Sequence, residues 1–160
     1  MQSTQESKLQ KQGPHITLGV EDYIDDGSVI HLKLTIDRDK GETFFDFEGT
    51  CPEVNENWNS PVTAAAVIYC LRCLVDVDNP LNQACLALVT IHIPPGSLLS
   101  PSEKVIMVSG NVLTSQQVTN VVLIAFPACS CSKCCLNNLK FSDNTFGYYE
   151  NIGGVCDVGP

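Results

Sequence analysis

Positive charge is what this sequence has least of. Nine lysines and arginines stand against 18 aspartates and glutamates, a formal net charge of −9. Such a chain repels phosphate backbones and anionic lipid, so no nucleic acid and no membrane is expected among its partners. Charge of either sign is scarce, at 17% of residues where an ordinary soluble domain has roughly 25%. Much of the surface is therefore expected to be covered by other protein. Long apolar runs are missing as well: stretches such as Val118 to Phe126 run to about nine residues, far short of the ~20 residues of a membrane helix. Met1 to Gln12 is polar and has no apolar centre for a secretion signal, and the protein reads as soluble and intracellular. There is no Gly-x-Ser-x-Gly elbow, no His-Glu-x-x-His pair and no Gly-x-x-x-x-Gly-Lys phosphate loop, which excludes a Walker-type ATP site within the chain.

What is present is enough for one core, since 160 residues is a usual domain size. Residues 1–15 read as a flexible lead-in and 16–160 as part of a domain; the glycine-rich run from Gly153 to Pro160 suggests a fragment of something larger. From Ile16 the pattern is strand-like. Val29 to Asp37 alternates Ile30, Leu32, Leu34 and Ile36 with His31, Lys33 and Thr35, a period of two that buries one face. Asp26-Gly27 and Lys40-Gly41 supply turns on either side, and Thr43 to Glu48 continues as a strand with Phe45 and Phe47 together. Three antiparallel strands should open the fold.

Beyond a loop at Cys51 to Asn59, Pro61 sits near a helix start, and Val62 to Val75 is apolar nearly all round, which predicts a deeply buried helix. A short segment follows at Leu81 to Leu86, a strand at Thr90 to Ile93, an apolar run at Lys104 to Val108, and a second helix at Thr114 to Phe126. Leu136 to Phe141 and Phe146 to Ile152 form a closing hairpin across Ser142 to Thr145. Strands and helices mix without strict alternation, so the fold class is α+β: antiparallel strands first, buried apolar helices, then a hairpin.

Nine cysteines without a secretion signal read as free thiols. Cys129, Cys131, Cys134 and Cys135 crowd into too short a span for the separated ligand pairs of a zinc finger. A cysteine-rich zinc module stays an alternative, but no metal ligand is assigned. Cys70 and Cys73, at i and i+3 of the first helix, read as two small hydrophobes on one core face rather than a redox pair, whose chemistry needs an exposed helix N-terminus. Arg72 between them must reach solvent or find a carboxylate, and Asp76 at i+4 is a local candidate partner. His15, His31 and His92 have no acid or nucleophile at a spacing that predicts convergence.

Two polar runs could form a pocket. Asn111, Thr114, Ser115 and Gln116 stand at a loop-to-helix junction, where backbone N–H groups favour an anion or a carbonyl oxygen; a plain helix cap explains the same residues. Glu150, Gly153 and Gly154 end an aromatic strand in a glycine pair that permits close approach of a ligand to the backbone, or simply a turn.

Asp46-Phe-Glu-Gly-Thr50, Asn59-Ser-Pro61, Ile68 to Leu74, Pro80-Leu-Asn-Gln83, Ile93-Pro-Pro-Gly-Ser97, Gly110 to Gln116, Asn137-Asn138 and Gly147-Tyr-Tyr-Glu150 occur in an order that resembles the hydantoinase B/5-oxoprolinase family, its eukaryotic ATP-dependent members above all. The resemblance implies a cytosolic enzyme of glutathione metabolism that opens 5-oxo-L-proline to L-glutamate while hydrolysing ATP to ADP and phosphate. It also implies that ATP and a divalent metal serve the full-length enzyme, expected to be a homodimer, with the nucleotide held by a hydantoinase A-type region outside this chain. That region or a full-length homologue is the expected partner, 5-oxoproline the expected small molecule, and no cofactor is expected in this chain. The candidates for holding substrate are Asn111, Thr114, Ser115, Gln116, Glu150, Gly153 and Gly154, with no catalytic residue assigned and Glu150 orienting a neighbour or acting as a base. Where the family pattern has an Arg and a following Asp, this chain has Gln117 and Asn120, which removes a charge pair. Ala84 replaces a glycine of that pattern and Val155 another, so the chain reads as a divergent copy inactive alone. The rival reading is a noncatalytic interaction fragment with bare apolar faces.

Overall fold

In a computed structural model, the structure describes residues 13–24, 26–54, 61–75, 86–105, 107, 110–126 and 136–153. Strands β1 (His15–Tyr23), β2 (Val29–Asp37) and β3 (Glu42–Asp46) form the expected antiparallel opening. Local chemistry sets both turns. Gly27 takes φ +87°, a left-handed value that only glycine adopts without strain, while Asp26 Oδ1 accepts the Ser28 N–H at 2.8 Å. In the next turn Asp37 Oδ1 accepts from the Asp39 and Lys40 amides, each at 3.1 Å.

β3 is shorter than expected. Glu48 lies in a turn, with its amide donating to Asp46 Oδ1 at 3.1 Å, and Gly49 at φ +95° bends the chain out of the ladder. Phe45 and Phe47 are nevertheless both fully buried, and Phe44 faces outward.

β4 (Val89–His92) adds to β3 in parallel, giving the sheet order β1-β2-β3-β4. Parallel neighbours need a long crossover, and helix α1 (Thr63–Leu74) lies within it. Helix α2 (Leu113–Ala125) packs on β1, β2 and α1. Here the expectation is corrected: the deeply buried helix is α2, where every residue from Val118 to Leu123 is buried. α1 buries only Thr63, Ala66, Val67 and Cys70 and exposes Ala65, Tyr69 and Cys73 at i, i+4 and i+8. Exposing alanine costs little and tyrosine keeps a polar tip in water, so an apolar composition did not oblige α1 to be enclosed. Cys70 and Cys73 therefore do not share a core face. Cys70 is buried with its thiol toward the Thr119 carbonyl at 3.7 Å, while Cys73 is exposed.

The core joins Ile30, Leu32, Leu34, Phe45 and Phe47 of the sheet layer to Val67 and Cys70 of α1 and to Val118, Val121 and Val122 of α2. Leu98 and Leu99, which belong to no strand or helix, are buried in it too. The segment carrying them is tied down by Leu98 N–H to Cys51 O at 3.0 Å and Glu53 N–H to Gly96 O at 2.9 Å. Of the run from Lys104 to Val108, the described residues belong to no helix or strand. The hairpin of β5 (Leu136–Ser142) and β6 (Gly147–Gly153) forms a second, two-stranded sheet. Asp143 closes its turn: Oδ1 accepts from the Thr145 and Phe146 amides at 2.7 and 2.8 Å. Residues 1–12, Asp76, nearly all of the short segment from Leu81 to Leu86, and the cluster Cys129, Cys131, Cys134 and Cys135 lie outside the described residues.

Candidate functional site

The packing of α1 on α2 leaves an open groove of ≈ 540 Å³, lined by Val62, Ala65, Ala66 and Tyr69 from the α1 side and Asn111, Ser115, Gln116 and Thr119 from the α2 side. Its volume falls in the roughly 300–1,000 Å³ range of small-molecule sites. Its walls differ in kind. Alanine and valine make one side apolar, with the Tyr69 ring at the rim; the other side presents amides and hydroxyls.

The spacing that brings Ser115, Gln116 and Thr119 together is one helical turn, and Asn111 joins them from the preceding turn of chain. Ser115 does not act as a helix N-cap. That position is Val112, which makes no side-chain cap. Instead the Ser115 hydroxyl donates to the Asn111 carbonyl at 2.6 Å and its amide to the Gly110 carbonyl at 3.0 Å, fixing the loop against the helix. Thr119 likewise donates to the Ser115 carbonyl at 2.9 Å. A plain cap therefore does not account for this polar run.

The other sequence candidates lie elsewhere. Thr114 is fully buried and does not line the groove. Glu150 is on the exposed hairpin, where the Tyr148 hydroxyl donates to its Oε2 at 2.6 Å; that bond raises the Tyr148 phenol above its ordinary value, with a smaller push from desolvation. Gly153 ends β6 opposite Leu136, and Gly154 lies outside the described residues.

Gln117 and Asn120, on α2, remain a pair without charge: the Asn120 amide donates to Gln117 Oε1 at 3.2 Å. His92 Nδ1 lies 2.8 Å from Asp46 Oδ1 and His31 Nδ1 2.5 Å from the Glu48 carbonyl, both hydrogen bonds, while His15 Nδ1 stands 3.7 Å from Asp37 Oδ2, an ion-pair distance only. Desolvation pushes the Asp46 carboxyl up, but the His92 hydrogen bond, the Glu48 amide and the nearby His92 and Lys33 charges outweigh it and hold the group below its ordinary value. Neighbouring strands bring Asp46 to His92 and Asp37 to His15, and the turn after β3 brings Glu48 to His31. Asp46 and His92 are direct Cα partners across the parallel β3–β4 pair, and no local spacing signals that. Among the described residues, no three His, Cys, Asp or Glu side chains are grouped as a metal ion would require.

The profile of the hydantoinase B/oxoprolinase family matches residues 2–157. The chain belongs to that family. It is 67% identical over 157 residues to 5-oxoprolinase 1 of Arabidopsis thaliana, an alignment covering 97% of this chain and 12% of the relative. It is 53% identical over 149 residues to 5-oxoprolinase of Dictyostelium discoideum, covering 92% of this chain and 12% of that one. This hydantoinase B/oxoprolinase chain thus spans about 12% of the length of these curated relatives. Among solved structures, an ATP-dependent caprolactamase from Pseudomonas jessenii superposes with a TM-score of 0.61 at 19% identity, over 77% of this chain and 22% of that one. That likeness is one of fold, consistent with an α+β piece of a larger domain. No helix among the described residues is long and apolar enough to cross a membrane.

Proposed function

We propose that these residues form one wall of a composite 5-oxoprolinase site, in which the α1–α2 groove holds a cyclic amide. The supporting observation is the meeting of Asn111, Ser115 and Gln116 in one groove, in a chain 67% identical to a 5-oxoprolinase. A lactam offers one carbonyl acceptor and one N–H donor side by side. The primary amides of Asn111 and Gln116 each carry both complementary functions, and the apolar wall at Val62, Ala65 and Ala66 suits the ring methylenes.

The reaction of such an enzyme would open 5-oxo-L-proline to L-glutamate, coupled to hydrolysis of ATP to ADP and phosphate, in the cytosolic metabolism of glutathione. An unstrained amide resists water, and phosphoryl transfer supplies the activation. This chain's part is to bind and orient the ring while a hydantoinase A-type region, or a full-length homologue in a homodimeric assembly, handles the nucleotide. Glu150, already accepting from Tyr148, would orient a neighbour or act as a base only in a site assembled around the hairpin.

Two measurements test this. Titrating 5-oxoproline into the labelled chain is expected to shift the side-chain amide resonances of Asn111 and Gln116, and the double substitution Asn111→Ala, Gln116→Ala is expected to abolish the shift. Glutamate release with ATP is expected only when the missing regions are supplied. Turnover by the isolated chain would sink the composite-site reading, and unperturbed groove resonances would sink the site.

A further inference from the structure

The β5–β6 ribbon presents two unlike faces. On one, the Tyr149 hydroxyl lies 3.0 Å from Asn138 Oδ1 and 2.6 Å from Asn151 Oδ1, its one proton available to either, and the Lys140 ammonium lies 5.6 Å from the Tyr149 ring centroid. That face is the polar one, with Asn138, Lys140, Ser142 and Asn151 around Tyr149. The register pairs Leu139 with Glu150 and Phe141 with Tyr148 on the other face. There Phe141 stacks on Tyr148 at 5.0 Å between centroids and meets Phe146 at 5.9 Å. Leu139 is 43% exposed, Phe141 52% and Phe146 53%, so the aromatic cluster is open to solvent.

Alternation of this kind marks a ribbon with one side meant to be covered, and a lone two-stranded hairpin is marginal in water. Nothing in the rest of the described fold covers it, since the hairpin makes no extensive contact with another described element. We propose that the Leu139–Phe141–Phe146–Tyr148 face docks onto polypeptide of a hydantoinase B/oxoprolinase protein lying outside these 160 residues. The occupant follows from two observations. The matched segment is only 12% of the Arabidopsis relative, so the same hairpin there has most of a long chain available to pack against it. Glu150 lies exposed beside the aromatics and accepts from Tyr148, which, with a chain charge of −9, calls for a cationic side chain at the rim of an otherwise apolar docking surface. The inference stands independently of what the groove binds.

Backbone hydrogen exchange, followed on this chain and on the natural full-length Arabidopsis relative, tests the proposal. Amides aligned with 138–151 are expected to exchange at least about 100-fold more slowly in the full-length protein. Hydroxyl-radical footprinting is expected to show the side chains aligned with Phe141 and Tyr148 protected there and reactive in this chain. Equal exchange in both proteins overturns the proposal, as does protection of the backbone without protection of that face. Slow exchange in the isolated chain also overturns it: if it grows with concentration the occupant is a second copy, and if it does not the chain covers its own hairpin.

Discussion

Asn120 donates its side-chain amide to Gln117 Oε1 at 3.2 Å, three residues earlier on α2. Asn120 is only 1% exposed, so its polar atoms have little water to fall back on. Removing one partner of a buried hydrogen bond costs about 1–3 kcal/mol, whereas the intact bond contributes only about 1. Gln117→Ala, which leaves the buried Asn120 amide without this acceptor, is expected to destabilise by about 1–3 kcal/mol and Asn120→Ala by a comparable amount, with a coupling energy of at least about 0.5 kcal/mol in a double-mutant cycle. Urea unfolding reads all of these, and strictly additive losses would show that the pair is not coupled.

The His92–Asp46 pair makes stability depend on pH in a definite direction. Asp46 is held below its ordinary 3.8 in the folded chain, the raising effect of desolvation being outweighed by His92, the Glu48 amide and Lys33. A lowered carboxyl contributes stability above its unfolded value and loses it as pH falls through the folded one. Asp46→Asn and His92→Gln are each expected to flatten the acid limb of the stability curve below about pH 4. Urea midpoints measured across the acid range check this, and an unchanged acid limb in both variants would count against it.

Gly49 lies against the His31 ring in a left-handed turn. Its φ is +95°, and an added Cβ would come within 3.4 Å of the His31 ring, while His31 itself bonds the Glu48 carbonyl and its amide donates to the Thr50 hydroxyl at 3.2 Å. Gly49→Ala is expected to cost about 1–2 kcal/mol from left-handed strain alone and to move the His31 ring resonances. Gly27→Ala has the strain but open space around it, so His31 should be unmoved. Identical spectra for the two variants would refute the contact.

The two helices should respond differently to truncation. Val121→Ala and Val122→Ala remove fully buried methyls from α2 and are each expected to cost on the order of 1–3 kcal/mol. Tyr69→Ser, on the 56%-exposed outer stripe of α1, is expected to stay within about 0.5 kcal/mol. Thermal or urea unfolding separates the cases, and a large loss at Tyr69 would mean that α1 is covered after all.

Local order was written in near neighbours, and so it could be read. The alternation of Ile30, Leu32 and Leu34, the Asp26-Gly27 turn and the Asp143-closed hairpin each depend on residues a few positions apart. Helical spacing puts Ser115 and Thr119 one turn apart, whereas Asn111 joins them from the chain before the helix and the groove itself exists only because α1 packs on α2. Thr114 shares that stretch yet points inward, since the side of a helix that meets a sheet is settled by what packs against it. The burial of Leu98 and Leu99 was illegible for the same reason: they sit in irregular chain, where no period distinguishes inside from outside.

By itself the sequence determined the strand and helix segments, most turn positions, the acidic surface and the family, because each of these rests on composition, short spacing or ordered motifs. Only the tertiary structure decided that α2 rather than α1 is the enclosed helix, that β4 joins β3 in parallel, that Asp46 meets His92, and that Glu150 stands on a hairpin apart from the groove. Those outcomes turn on contacts between residues tens of positions apart, where many pairings have similar local cost and the one that buries most apolar surface without stranding a polar group prevails.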